Sequence, residues 1–232
     1  MMVRSFRFLF QFTWPNLSAI LGFAVIVIAG CYATGVPGDT GIGNLFETYY
    51  AMFPIMILFM LYIYAFALCT SNLNLGLSFG ARRRDFFWAL QSIMVSSALL
   101  CWALQLFLAA FPGLAGWASR ERWMLLEMFD GRPWIFPLTS AAFMVLGCLS
   151  GLLMIKRRGL GIFLIAVSIF VLMAATAILI LSSETDLMEF LLDTEWGWLW
   201  ASLPQATAAV LAVSAVGGEL LIWRVVQRFV VR

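Results

Sequence analysis

The chain has 232 residues, 63% of them hydrophobic and only 11% charged, with a formal net charge of +2. Soluble domains carry about 25% charged residues, so a soluble globule is excluded. Histidine is absent, which removes imidazole bases and His-ligated metal sites, and no metal site is expected.

A spanning helix needs ~20 mostly apolar residues, and in chain order the first candidate follows a greasy arm. The arm, residues 1–16, alternates Phe6, Phe8, Phe10, Phe12 and Trp14 with Arg4 and Arg7, and Pro15 interrupts it. It reads as an interfacial helix before a first span at about 17–36, against the alternative of one overlong first span. "VIAGC", ending at Cys31, has the form of a lipoprotein cleavage box, but the preferred reading is a retained helix. Further spans are expected at about 49–70, 88–111, 135–155, 160–182 and 199–222. In the connections, "GWASRERWMLLEMFDGRPW" and "SETDLMEFLLDTEWGWLW" read as short outer interfacial helices, with Trp117, Trp123, Trp134, Trp196, Trp198 and Trp200 in an aromatic belt. The fold class is therefore all-α, one polytopic membrane domain over 1–232 with six transmembrane helices and no internal repeat. Cys31, Cys69, Cys101 and Cys148 are widely spaced in apolar surroundings and read as small buried hydrophobes.

Basic residues set the orientation. Arg4, Arg7, Arg82, Arg83, Arg84, Lys156, Arg157, Arg158, Arg224, Arg228 and Arg232 fall on one side of this six-span layout, and most acids fall on the other. By the positive-inside rule both termini are expected in the cytoplasm.

The most informative stretch is "NLGLSFGARRRDFFWAL", residues 74–90, between the second and third expected spans. Gly76 and Gly80 favour a turn, Arg82, Arg83 and Arg84 supply positive charge beside Asp85, and Phe86 and Phe87 are expected to offer an apolar contact surface. A surface helix of this kind can bind anionic lipid or dock on a soluble partner; an ordinary positive-inside loop is the plainer alternative. The stretch resembles the segment "G-x-Ser/Thr-Arg-Arg/Lys-x-Phe-Phe" of permease subunits of bacterial type-2 ATP-binding-cassette exporters. Gly80, Arg83, Arg84, Phe86 and Phe87 match its register, and Arg82 stands where a small hydroxyl residue is usual. The resemblance implies that Gly80, Arg82, Arg83, Arg84, Asp85, Phe86 and Phe87 form a cytoplasmic coupling helix that inserts into a separate ATPase subunit. ATP and Mg would then be bound by that partner. The sequence contains no G-x-x-x-x-G-K-[ST] phosphate loop, so this chain itself is expected to hold no cofactor.

Charges inside spans are costly, ~2.5–3.5 kcal/mol near a helix centre, and each is a functional candidate. Glu219 in "SAVGGELLIWR" is the one such charge, beside Gly217 and Gly218, which permit close helix approach. Gln91 and Gln105 lie on nearly one face of the third span, and Pro204 with Gln205 is expected to interrupt the sixth. Gln91, Gln105, Gln205 and Glu219 are thus candidates for an intramembrane polar seam; the alternative is ordinary interhelical hydrogen bonding for the glutamines, and for Glu219 pairing with a neighbouring arginine or snorkelling to water. No nucleophile–base constellation can be assembled, so an enzyme is not expected. The expected function is the transmembrane subunit of an ATP-driven exporter in the bacterial plasma membrane. Its partners would be the ATPase, a second permease subunit (identical or related) and membrane lipid, with no nucleic acid. The alternative is a non-transporting sensor, immunity or scaffold protein.

Overall fold

The computed structural model describes residues 2–33, 56–114, 135–182 and 197–228, and among them the chain is helical with no strand. The expected outer helices and the residues around Asp39, Glu47 and Trp117 lie outside the described residues.

The first helix, α1 (Met2–Ala33), is one continuous element with Pro15 inside it. The break expected at Pro15, between an interfacial helix and a first span, is therefore corrected: the helix is continuous there. Proline removes a backbone donor and crowds the carbonyl four residues back. Side chains around it take up backbone acceptors: Thr13 Oγ1 donates to Leu9 O at 3.2 Å, Asn16 Nδ2 to Phe12 O at 2.8 Å and Ser18 Oγ to Pro15 O at 2.9 Å. Such local repair is what lets membrane helices tolerate proline.

Helix α2 runs over Met56–Ser78, longer at its C-terminal end than expected, and includes a π-helical stretch at Leu68–Asn72. Helix α3 (Arg83–Leu114) starts at the arginine run itself. Helix α4 (Ile135–Lys156) and α5 (Arg158–Ser182) are separated by Arg157 alone. There the Arg157 amide donates to Leu153 O and the Gly161 amide to Arg157 O, at 2.6 and 3.1 Å. Helix α6 (Gly197–Gln227) passes through position 204 without a break, which corrects the interruption expected there.

Among the described residues, four stretches are long and apolar enough to cross a membrane: Met56–Ser78, Arg83–Phe107, Phe136–Lys156 and Ala209–Gln227. Apolar surface alone does not drive helices together in lipid, where close packing and interhelical hydrogen bonds must do so. Small residues supply that closeness. Helix α4 lies at the centre, packed against α2, α3, α5 and α6. Its Gly147 and Gly151, one turn apart, bring it onto the backbone of α2. A Cβ at 151 would stand 2.8 Å from the Phe66 carbonyl oxygen, and one at 147 would run into that of Tyr62. On the other side Gly218 of α6 meets Val145 and Leu149. Tyr62 Oη donates to Ser150 Oγ at 2.7 Å across the α2–α4 contact, and Thr13 hydrogen-bonds Tyr64 across α1 and α2. The shared core includes Leu9, Leu61, Leu68, Phe86, Leu90, Met144, Leu152 and Ile222. Cys69, Cys101 and Cys148 are free and buried, as their apolar surroundings imply.

Candidate functional site

The start of α1, the α2–α3 turn and the end of α6 meet at one end of the bundle. The chain leaves α2 through Phe79 and turns at Gly80, whose φ of 82° is open to glycine and strained for other residues. Three backbone bonds close this turn: Phe79 N to Leu75 O at 3.1 Å, Gly80 N to Leu77 O at 3.1 Å and Ala81 N to Gly76 O at 3.2 Å. Gly76, expected to favour the turn together with Gly80, instead lies within the helix. It is buried, and a Cβ there would stand 2.7 Å from Phe86 Cε2, so its absent side chain makes room for that ring.

Phe86 is 0% exposed and Phe87 is 8% exposed. Phe87 packs edge-on against Trp223 of α6 at 4.8 Å between centroids, and against Trp88 at 5.8 Å. The expectation that this pair offers an apolar contact surface is therefore corrected. Both rings pack inside the chain, because α3 begins at Arg83 and turns them toward α1, α2 and α6. No separate helix stands between α2 and α3 among the described residues. What the turn does expose is Phe79 (77%), Trp88 (49%) and the guanidinium groups of Arg82, Arg83 and Arg84, with Asp85 half-buried. Arg83 Nη1 donates to Gln227 O at 3.0 Å, capping the last turn of α6 and tying it to the start of α3. The residue missed in the sequence was Phe79, although "LSFG" places a large ring directly before the turn glycine.

Arg4 and Phe8 of α1 complete this end. The Phe8 ring meets Phe79 edge-on at 6.3 Å. Between α1 and the turn lies an open cleft of about 190 Å³, lined by Arg4, Ser5, Phe8, Phe79, Gly80 and Phe86 among others. Among the described residues the arginines of this end make no ion pair.

The second candidate region lies about two turns inside the same end of α6. Gln91 of α3 donates its amide to the Glu219 carboxylate, which places two of the four expected seam residues in direct contact. Glu219 is half-buried, and Gly218 beside it carries the close contact to α4, whereas Gly217 has no atom within 4 Å of its Cβ position. Gln105 is buried at 4% exposure farther along α3, with Oε1 unpartnered among the described residues, and is not part of the Gln91–Glu219 contact. The side chain of Gln205 lies outside the described residues. Among the described residues no group of acids and cysteines could hold a metal. The pair holds a carboxylate at a helix–helix contact.

No family model, no curated protein and no solved structure matches this chain.

Proposed function

We propose that this chain is the transmembrane subunit of an ATP-driven exporter, in the manner of the type-2 ATP-binding-cassette permeases. In this reading α1 to α6 are six membrane spans, both termini are cytoplasmic, and the membrane is the bacterial plasma membrane. A separate ATPase binds ATP and Mg, and a second six-span subunit, identical or related, completes the pathway. ATP binding closes the ATPase pair, which tilts the permeases between inward- and outward-facing packings.

The observation that carries the reading is the α2–α3 turn. It presents exposed aromatic and arginine side chains at the tip of two long apolar helices. Phe79 and Trp88 take the anchoring role that the sequence gave to Phe86 and Phe87, with Arg82 and Arg84 around them for steering. The buried phenylalanines then have a mechanical part. Phe86 seats against Gly76 of α2, and Phe87 seats against Trp223 of α6. A push on the turn is thereby passed into α2, α3 and α6 together, with no slack element between.

The test is copurification of the chain, expressed from its native operon, with the ATPase encoded beside it. Phe79→Ser should weaken the complex by roughly thirtyfold, the usual cost of a lost anchor of ~2 kcal/mol, and leave the fold intact. An ATPase that fails to accompany the wild-type chain would refute the exporter reading and leave the sensor, immunity or scaffold alternative. Undiminished, coupled hydrolysis in Phe79→Ser would refute the anchor assignment alone.

A further inference from the structure

The geometry points to a binding site for the phosphate group of an anionic phospholipid in the cleft between the first turn of α1 and the α2–α3 turn. The cleft holds about 190 Å³, and among the described residues Arg4 is its one charged lining residue, beside Ser5. Its other walls include the rings of Phe8, Phe79 and Phe86. A guanidinium forks onto two phosphate oxygens, while aromatic walls favour a ligand with an apolar stem over a bare hydrated ion. The amides of the first turn of α1 also lack intrahelical acceptors, and the helix dipole there is positive.

The cleft is built by the fold. Gly80, at φ 82°, turns the chain so that Phe79 closes against Phe8, and Gly76 lets Phe86 form the floor. Its depth suits a lipid. The 32 residues of α1 extend about 48 Å at ~1.5 Å each, against about 30 Å of hydrocarbon. The surplus carries its first turn into the head-group layer. Exposed Arg7, Arg82 and Arg84 surround the site, and among the described residues none is neutralised by an ion pair. Basic pockets between spans at the cytoplasmic surface are where anionic head groups are held. The site does not depend on the exporter reading, because a membrane-embedded chain of any function would meet this ligand.

Native mass spectrometry of the full chain released from detergent micelles, titrated with phosphatidylglycerol or phosphatidylcholine, tests it. One phosphatidylglycerol should be retained per chain in preference to phosphatidylcholine. Arg4→Gln should lower its affinity about tenfold, the cost of one charge-assisted contact. Arg4→Lys, which keeps the charge and loses the fork, should fall between. Arg84→Gln should change affinity less than threefold, and Arg83→Gln likewise, since that side chain is already engaged with Gln227. Inorganic phosphate at millimolar concentration should fail to displace the lipid. Equal retention of the two lipids, an unchanged Arg4→Gln, or equal losses in Arg4→Gln and Arg84→Gln would overturn the site, the last by showing diffuse attraction to a basic surface. Complete displacement by inorganic phosphate would overturn the lipid as its ligand and identify a free-anion site.

Discussion

Adding one methyl group at Gly151 is the sharpest test of how these helices are held. An alanine Cβ there would stand 2.8 Å from the Phe66 carbonyl oxygen, 3.2 Å from Thr70 Cγ2 and 3.3 Å from Cys69 Cβ. The nearest of these atoms is backbone in the middle of α2, and it already accepts the Thr70 hydroxyl at 3.0 Å. It cannot rotate away. Ordinary contact begins at 3.4 Å, so α4 and α2 must part by about 0.6 Å there, from 2.8 to 3.4 Å. Overpacking of this kind costs ~1–3 kcal/mol, and alanine's better helix propensity returns at most about 1 kcal/mol. With that full return the net loss is up to about 2 kcal/mol. Gly217 supplies the control: nothing lies within 4 Å of its Cβ position, so Gly217→Ala keeps the propensity gain and loses nothing. The two variants should differ by the overpacking cost itself, roughly 1–3 kcal/mol, which corresponds to roughly 2–12 °C in Tm. A thiol-reactive fluorophore can follow the transition, because Cys69 and Cys148 are free and buried along this seam. Gly151→Ala melting at or above wild type, with Gly217→Ala below it, would refute the account of close helix approach.

Phe86→Ala should lower thermal stability by ~3–5 kcal/mol, the usual cost of emptying a buried aromatic site, whereas Phe79→Ser should leave the melting temperature unchanged; both are read in the same melting assay. Gln91→Leu should cost ~1–3 kcal/mol by leaving the Glu219 carboxylate without its donor, and adding Glu219→Leu should recover most of that loss, a coupling that a double-mutant cycle measures. For topology, single cysteines at positions 40, 120 and 190 should react with an impermeant thiol reagent added outside intact cells, while one at position 83 stays unlabelled; the reverse pattern would overturn the orientation.

The all-helical class was legible, and among the described residues so were four helices of membrane-spanning length, because their apolar runs needed no neighbour to be recognised. Gln91 and Glu219 were legible as members of one candidate seam, but which partner would meet the carboxylate was not, since a neighbouring arginine was an equally local choice. What sequence could not show was the direction in which the turn aims its side chains. Gly80 was marked as a turn residue, but whether α3 begins before or after it decides if Phe86 and Phe87 face solvent or core. That depends on Gly76, whose role as the seat of Phe86 is a relation between two helices with no local signature. Pro15 misled for a related reason. Its cost falls when nearby side chains take up backbone acceptors, and Thr13, Asn16 and Ser18 are ordinary polar residues until the helix positions them.

The junction at Arg157 bears on how the chain reaches its membrane. One residue separates α4 from α5, and Lys156, Arg157 and Arg158 stand at that point. Two apolar segments so closely joined have no slack with which to enter separately, and three adjacent positive charges resist translocation. In the six-span reading proposed above, the pair is delivered as a single helical hairpin, with its corner retained on the side of synthesis. Helix α5 packs chiefly on α4, so its native contact is with the segment that emerges from the ribosome immediately before it. One side of α4 is thus occupied during insertion, and α2, α3 and α6 assemble around a unit already formed in that reading.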